Sequence, residues 1–433
     1  MTYRELLTRN ANVRSLWTGQ VVSEIGDWLN NIAVLALALE LAGPGREGRA
    51  IAVYAIARHL PLFLFGPVAG VVVDRLDRRR VMIAADLLRA ALALGFLFAV
   101  RYSSLALVYA VGASLFSISS FFNAAKRATI PVITNGADEL LTTNSLSAST
   151  TAATIAVGSA LGGLIATFIG RQVVFFINAA TFIVSALMIW RIVFARTQAT
   201  VPHVRHEGAS LLRRSMLDFR AGLNYVRNDS VLAAVFIVAA GWGLGNGVAR
   251  ALYSVFGARL GVAAASGLVA RPQDFGISVL FVAMGAGGVL GAPLARRFNA
   301  AGDNLGTRMG RSLLFDGCGL VLFSFMPQLW GAGLVLVARE MNFAIWWTAQ
   351  QTLIMRRTEN AYAGRVFASY ETLTTLMMVG SMYFAGAAAD RYGLRIVAAT
   401  GGAVIASSGA LWFLLRRRAR AQLGADVETL RGS

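Results

Sequence analysis

Apolar segments of about 20 residues recur along the whole chain, and they constrain its fold more than any other feature. A helix needs about 20 apolar residues to cross a bilayer, because each residue advances it by only about 1.5 Å. The chain is 56% hydrophobic and 14% charged, whereas a soluble protein carries about a quarter charged residues. We therefore predict an all-α polytopic membrane protein with about twelve transmembrane helices. The predicted spans are 14–41, 50–73, 82–100, 105–125, 140–169, 172–194, 231–259, 275–295, 309–327, 331–355, 364–389 and 394–415.

One long polar stretch, 195–230, divides this series of spans into two groups of six. It predicts a six-helix bundle at 1–194, a cytoplasmic linker at 195–230, and a second six-helix bundle at 231–433 with a short basic tail. Within the linker, apolar residues at helical spacing predict an amphipathic surface helix. These residues are Leu211, Leu212, Met216, Phe219 and Leu223.

Basic residues set the predicted orientation. The formal net charge is +18, from 40 Lys and Arg against 22 Asp and Glu. The arginines are spread over the loops and form no long polybasic tract, so we predict contact with membrane lipids and no nucleic-acid partner. Most of them fall in segments that lie inside if the N-terminus lies inside, and basic loops stay in the cytoplasm. Both termini are therefore predicted to be cytoplasmic.

The loop after the second span is short and strongly basic. Gly70 ends that span, Asp74 and Arg75 follow it, and Arg78 and Arg79 precede the third span. A glycine allows two helices to approach closely, and an aspartate interacts favourably with the N-terminal dipole of a neighbouring helix. We expect Gly70 and Asp74 to serve in these two ways.

Weaker copies of this loop end later spans. They lie at Gly163 to Arg171, Gly291 to Arg297 and Gly386 to Arg391. Together with the loop at Gly70 they occupy equivalent places in the two groups of six spans. The chain thus has two halves in the same register, and each half contains two three-helix units. This is the repeat pattern of secondary transporters.

The loop signature Gly-x-x-x-Asp-Arg, with Arg78 and Arg79 after it, resembles that of the major facilitator superfamily. Asp77 stands where that signature has a second glycine, which is similar to the branch of enterobactin exporters and macrolide efflux proteins. The stretches Asn12 to Trp28 and Pro131 to Leu146 also resemble that branch. The resemblance implies a monomeric transporter of the bacterial inner or plasma membrane. It would export a drug-like, macrolide-like or siderophore-like molecule by proton antiport and alternating access.

The resemblance extends to a glycine motif in the fifth span. Gly158, Gly162 and Gly163 resemble a signature of the superfamily's antiporters, in which a proline stands at the position of Ser159. Small residues also serve plain helix packing, so an antiporter role and a packing role both stay open. Proton-coupled exporters of the superfamily often carry an arginine in the fourth span, whereas 105–125 contains no charge.

The family resemblance also implies a switching role for Asp74. In the superfamily the acid of this loop caps a helix end in the opposite half when the cytoplasmic side is closed. We expect its partner near the start of the eleventh span, at Gly364 and Arg365.

Charges inside the spans are the residues that carry transport chemistry, because they are costly in a bilayer and mark ion or substrate pathways. Glu24 and Asp27 lie three residues apart and share one face of the first span. Asp27 lies near the middle of that span, where a carboxylate could exchange a proton or bind substrate; a structural hydrogen-bonding role stays open. Arg58 is the predicted counter-ion for Asp27 or for an anionic substrate group.

Further charges lie in other spans. Asp86 and Arg89, three residues apart, predict an intrahelical pair. In the second half, Arg250, Glu340 and Glu371 are candidates for proton coupling, substrate binding or locking of the helices.

Aromatic residues in or near the spans have two open interpretations. They line a cavity for a bulky apolar or cyclic substrate, or they serve helix packing and the interfacial belts. They are Phe121, Phe122, Trp242, Trp346, Trp347, Tyr370 and Tyr383.

Two alternatives to export stay open: a lysophospholipid transporter or flippase of the same fold, and a receptor of this fold that transports nothing. We predict no enzyme, because the sequence has no nucleophile–base motif and no phosphate-binding loop for ATP. We predict no cofactor and no metal site, since the chain has one cysteine and three histidines without ligand spacing.

Overall fold

The computed structural model describes residues 1–193, 211–300 and 305–431 of the chain. These residues form fourteen helices and include no strand. In chain order the helices are α1 (Tyr3–Arg9), α2 (Ala11–Ala42), α3 (Glu47–Arg75), α4 (Arg78–Arg101), α5 (Leu105–Ile133), α6 (Ala137–Phe168), α7 (Arg171–Trp190), α8 (Leu211–Arg227), α9 (Ser230–Ala265), α10 (Pro272–Ala300), α11 (Leu305–Phe325), α12 (Leu329–Arg357), α13 (Asn360–Tyr392) and α14 (Leu394–Arg431).

Each predicted span corresponds to one of these helices, within a few residues at most ends. Among the described residues, ten helices are long and apolar enough to cross a membrane. The helices α11 and α12 are also long, but they carry more charge, including Asp316, Arg339 and Glu340. The prediction of an all-α polytopic membrane protein is confirmed.

One correction to the predicted spans concerns the fourth. Its apolar run ends at 125, whereas α5 continues to Ile133 and includes Pro131. The reason is physical: a charged residue interrupts an apolar run without interrupting the backbone hydrogen bonds of a helix. The fourth spanning helix therefore includes Lys126.

Polar side chains start several helices by accepting hydrogen bonds from backbone N–H groups that have no partner inside the helix. Thr2 and Glu5 form a capping box on α1, and the Thr2 backbone N–H donates to Glu5 and lowers the pKa of that carboxyl. Asn10 caps α2 by accepting from Val13 N at 3.1 Å. The beginnings of both helices are thus fixed by local sequence.

The described helices group into two compact units. The first contains Met1–Leu211 and Tyr253–Ala286, and the second contains Leu212–Leu252 and Gly287–Ser433. The end of α9 and the start of α10 therefore pack with the first six spanning helices. The sequence-based division at 195–230 stays a prediction, and residues 194–210 lie outside the described part of the chain.

In the second unit, α8 packs on the beginning of α13. Ser369 Oγ donates to Phe219 O at 3.1 Å, and the Tyr225 and Tyr362 rings stack with centroids 4.7 Å apart. Gly222 allows this approach, since a Cβ atom there would lie 2.6 Å from Arg365 O. A helix therefore occupies this part of the predicted linker, and one of its faces is covered by protein; its amphipathic surface role stays a prediction.

Gly222→Ala is expected to destabilise the protein by about 1–3 kcal/mol, because the new methyl group overlaps the backbone of α13. Gly364→Ala is the matched control: a Cβ there meets nothing within 4 Å, so it should stabilise α13 by about 0.5–1 kcal/mol. Thermal unfolding of the two purified variants measures the difference. Equal melting temperatures would show that α8 does not hold this position on α13.

Candidate functional site

Glu24, on α2, is held by side chains from three helices. Gln20 Nε2 donates to it at 2.8 Å, Thr151 Oγ1 at 3.2 Å and Thr154 Oγ1 at 3.1 Å. Lys126 Nζ on α5 lies 3.7 Å from its Oε1 atom. These contacts fix the Glu24 carboxylate between α2, α5 and α6.

Lys126 is a site residue that the sequence reasoning missed. It follows directly after the uncharged predicted span 105–125, but α5 continues past it and its side chain is only 16% exposed. Helical spacing of apolar residues up to Ile133 was the signal that could have shown this. The fourth spanning helix therefore carries a partly buried cation, and that cation pairs with Glu24.

Asp27 lies beside an arginine that it shares with a second carboxylate. Arg89 Nη1 is 3.9 Å from Asp27 Oδ2, and Arg89 Nη2 donates to Asp86 Oδ1. The predicted Asp86–Arg89 pair within α4 is present, but it also reaches across to α2. The Asp27 side chain is 30% exposed whereas that of Asp86 is 0% exposed. We call Asp27, Arg89 and Asp86 the shared-arginine triad.

Two aromatic rings hold the guanidinium of the triad. The Arg89 Cζ atom lies 4.1 Å from the centre of the Phe122 ring and 4.4 Å from that of Phe182. An arginine over an aromatic face is stabilised by the ring's quadrupole, the more so where water is excluded. Arg89 Nε and Asp86 Oδ2 are buried without a hydrogen-bond partner. The triad is thus well packed, and these two atoms could each form one more hydrogen bond.

Arg58, the predicted counter-ion of Asp27, has a different immediate environment. Its guanidinium donates to Asn31 Oδ1 and lies over the rings of Trp28 and Phe116, at 4.9 and 5.0 Å. Arg89 forms an ion pair with Asp27, at 3.9 Å, and Arg58 also lies near Asp27.

The glycines of the fifth span position the helix that carries Asp27. A Cβ atom at Gly158 would lie 2.7 Å from Ile25 O, and one at Gly162 would lie 2.6 Å from Leu29 O. Ile25 and Leu29 flank Asp27 along α2, so α6 touches the backbone of α2 on both sides of that acid. Any larger side chain at these glycines would displace α2.

The third glycine of that motif contacts a different helix. A Cβ atom at Gly163 would overlap Ser278 of α10, and Ser278 Oγ donates to Ser159 O at 2.7 Å. All three residues belong to the first compact unit. The motif therefore packs α6 against α2 with one face and against α10 with another.

The basic loop after α3 forms hydrogen bonds with helix ends. Asp77 caps α4 by accepting from Arg80 N at 2.9 Å. Arg78 Nη1 donates to Ala128 O at 2.8 Å, and Arg79 Nη1 to Ile192 O at 3.2 Å. Both carbonyls lie near the C-terminal end of a helix, where a cation interacts favourably with the helix dipole.

One expectation for this loop is wrong in this structure. A Cβ atom at Gly70 would meet nothing within 4 Å, so among the described residues no helix approaches it closely. The side chains of Asp74 and Arg75 are exposed. Among the described residues, the side of α3 at Gly70 is therefore open.

In the second unit, Glu340 lies on α12 with the arginines Arg250 and Arg339 near it. Arg339 itself pairs with Asp316, with Nη2 2.8 Å from Oδ1. Asp316 was missed, although a charge in the middle of a predicted span was the visible signal. The Glu371 side chain is exposed on α13. Arg250 and Glu340 are brought together; Glu371 contributes no ion pair among the described residues.

The first unit contains a further cluster of charged side chains that the sequence analysis did not predict. Arg171 at the start of α7 grips the buried Asp274 of α10 with two hydrogen bonds, of 2.9 and 2.7 Å, and also pairs with Glu40. It borders a cavity of about 260 Å³ that Arg271 also lines. These contacts tie α2, α7 and α10 together.

No cluster of three or more side chains that could hold a metal ion occurs in the described part of the chain.

Comparisons with known proteins agree with this fold. A family model described as "Major Facilitator Superfamily" matches residues 16–381. The "Putative bacilysin exporter BacE" of Bacillus subtilis is 27% identical over 86% of this chain and 87% of that protein. "Macrolide efflux protein A" of Streptococcus pyogenes is 36% identical over 18% of each chain. A crystal structure of a mutant of the nucleoside transporter NupG superposes with a TM-score of 0.69 at 11% identity, covering 93% of this chain and 100% of that one.

Proposed function

Because the chain belongs to the Major Facilitator Superfamily, we propose that it exports a small molecule across the cytoplasmic membrane in exchange for protons. Alternating access between two inward- and outward-open states moves the substrate. Relatives named as exporters and efflux proteins support the direction of transport. The protein works as a monomer among membrane lipids, with both termini in the cytoplasm, as the distribution of arginines favours.

The observation that carries this proposal is the shared-arginine triad. Arg89 contacts Asp86 directly and Asp27 at 3.9 Å, so its charge is divided between two carboxylates. When Asp27 takes up a proton, Arg89 forms an ion pair with Asp86 alone. When Asp27 loses the proton, the Asp27 carboxylate attracts Arg89 again. A proton and a cationic group of the substrate compete for the same carboxylate, which is the requirement for antiport.

Glu24 has a different role in this proposal. Protonating it would weaken contacts with four donors on three helices, whereas protonating Asp27 weakens one long ion pair. Charged hydrogen bonds contribute about 1.5–3 kcal/mol each, so the contacts of Glu24 contribute more to helix packing than the one long ion pair of Asp27. We assign proton exchange to Asp27 and positioning of α2 to Glu24. Arg58, Arg250 and Glu340 are proposed to face the substrate, and Glu371 is kept as a further candidate for that role.

Proton movement in inverted membrane vesicles tests the proposal. Respiration acidifies the vesicle lumen, and a macrolide, a catecholate siderophore, a cationic dye and a lysophospholipid are added in turn. We expect at least one compound to collapse the gradient in vesicles with the wild-type protein and to have no effect with Asp27→Asn. Silence with every compound would contradict proton-coupled export of these classes. Lysophospholipid movement without proton movement would favour the flippase alternative.

Asp74→Asn is expected to shift the protein toward its inward-open state, because the neutral side chain interacts less favourably with a helix N-terminus, by about 0.3–1 kcal/mol. Accessibility of single cysteines to reagents added on either side measures the populations. Asp77→Asn is the control, since asparagine caps α4 as well as aspartate does. Unchanged labelling in Asp74→Asn would contradict the switching role.

A further inference from the structure

Five aromatic side chains of the second unit form a continuous group on α9, α12 and α13. The Trp242 and Trp346 ring centroids are 4.5 Å apart, and Phe343 lies 5.7 Å from each. Trp347 extends the group to Tyr370, at 6.4 Å. Trp346 is 2% exposed and Tyr370 0% exposed. We call these five residues the aromatic group.

Polar atoms without hydrogen bonds are concentrated at this group. Trp346 Nε1, Gln350 Nε2, Gln350 Oε1 and Tyr370 Oη are all buried and have no hydrogen-bond partner. Trp346 and Gln350 are four residues apart on α12 and share one face. The Gln350 amide lies beside the Tyr370 hydroxyl, near enough for a weak hydrogen bond between the two side chains, while Trp346 Nε1 has no such neighbour. Three neighbouring side chains thus combine unused donors and an unused acceptor.

Such an arrangement is unfavourable unless a ligand uses it. Buried polar groups in proteins almost always have partners, and a group left without one retains the full cost of its removal from water. Packing alone would place apolar residues such as Leu and Phe at these positions. The retained amide, hydroxyl and indole N–H therefore indicate a binding requirement.

The chemistry of the group defines the ligand. A primary amide both donates and accepts, the hydroxyl does the same, and the indole only donates. The flanking rings offer flat apolar surfaces for stacking. None of the three side chains carries a charge at neutral pH, so the complementary group is neutral, planar or cyclic, and bears an amide.

We propose that Trp346, Gln350 and Tyr370 form a recognition subsite for a neutral, amide-bearing cyclic part of the transported molecule. This proposal rests on the proposed transport function and names the class of substrate. Trp347 is only half-buried and contacts both Trp346 and Tyr370. Its displacement opens the subsite, and the ligand then satisfies the four polar atoms.

Thermal unfolding of the purified protein without ligand tests the unmet hydrogen bonds. Gln350→Leu and Tyr370→Phe should leave the melting temperature unchanged or raise it, because they remove buried polar atoms that have no partner. Asn342→Leu is the matched control on α12: Asn342 Nδ2 donates to Ser312 O at 2.9 Å, so its loss should lower the melting temperature. A fall with Gln350→Leu or Tyr370→Phe comparable to that of the control would overturn the proposal.

Quenching of tryptophan fluorescence tests ligand class. The probes are N-acetylphenylalaninamide, which is neutral, and N-acetylphenylalanine, which has the same ring and a carboxylate. We expect the neutral probe to bind the wild-type protein at least about tenfold more tightly than the charged one. Gln350→Leu and Trp346→Phe should weaken binding of the neutral probe by about tenfold. Trp330→Phe, which removes an exposed tryptophan, should not.

Equal binding of the two probes, or unchanged binding in Gln350→Leu and Trp346→Phe, would overturn the subsite. Failure of the transport function gives a different result: no compound moves protons in vesicles, although the neutral probe still binds and both variants still weaken it. The two failures are therefore separable with the same purified protein and vesicle preparation.

Discussion

Asp27→Asn is expected to slow proton-coupled transport about a hundredfold or more while leaving the protein folded. Asparagine keeps the size of the side chain and its capacity to accept from Arg89, but it cannot exchange a proton. A positioned group that transfers protons contributes about 10²–10⁴ to a rate. Proton flux driven by substrate in vesicles measures the loss.

Glu24→Gln provides the comparison, because it changes a neighbouring carboxylate in the same conservative way. It keeps the hydrogen bonds from Thr151 and Thr154 but weakens the pair with Lys126. We expect slower transport in which protons still move with substrate. Loss of coupling in Glu24→Gln and its retention in Asp27→Asn would reverse the two assignments.

Arg89→Met is expected to destabilise the protein by about 3–5 kcal/mol, because it leaves Asp86 buried without its cation. The side chain of Asp86 is 0% exposed, so water cannot replace the lost contact. Thermal unfolding of the purified variant measures the effect. Arg75→Met, at an exposed arginine of the basic loop, should change the stability by less than about 0.5 kcal/mol.

The double variant Asp86→Leu with Arg89→Met should recover most of that loss, since it removes both charges and keeps apolar volume. It should nevertheless fail to transport, because no arginine is left at position 89 to pair with Asp27 when that residue loses its proton. A double variant as unstable as Arg89→Met alone would show that Arg89 stabilises the fold through its contacts with Phe122 and Phe182 instead of through Asp86.

Local signals in the sequence were sufficient for much of the fold. The apolar runs predicted the spanning helices because membrane insertion demands length and hydropathy, which are properties of the chain itself. Lys126 was misplaced for the same reason: hydropathy falls at a charge, whereas the helix does not end there. Asp77 was noted only as a replaced glycine, although an aspartate before a helical run also predicts a cap.

The partners of the candidate site could not be predicted in the same way. Glu24 meets Thr151 and Thr154 because α2 and α6 pack closely through Gly158 and Gly162, and spacing along one helix contains no information about its neighbour. The link from Arg89 to Asp27 depends on α4 lying beside α2. The unpaired atoms at Gln350 and Tyr370 likewise exist only once α12 and α13 are packed.

Release of protons by the purified protein tests the central claim most directly, namely that Asp27 carries the exchanged proton. The compound identified in vesicles is added to the protein in weakly buffered solution, and the pH is followed. We predict that the wild-type protein and Glu24→Gln release protons when the compound binds and that Asp27→Asn releases none. Equal release by Asp27→Asn and the wild-type protein would contradict the claim.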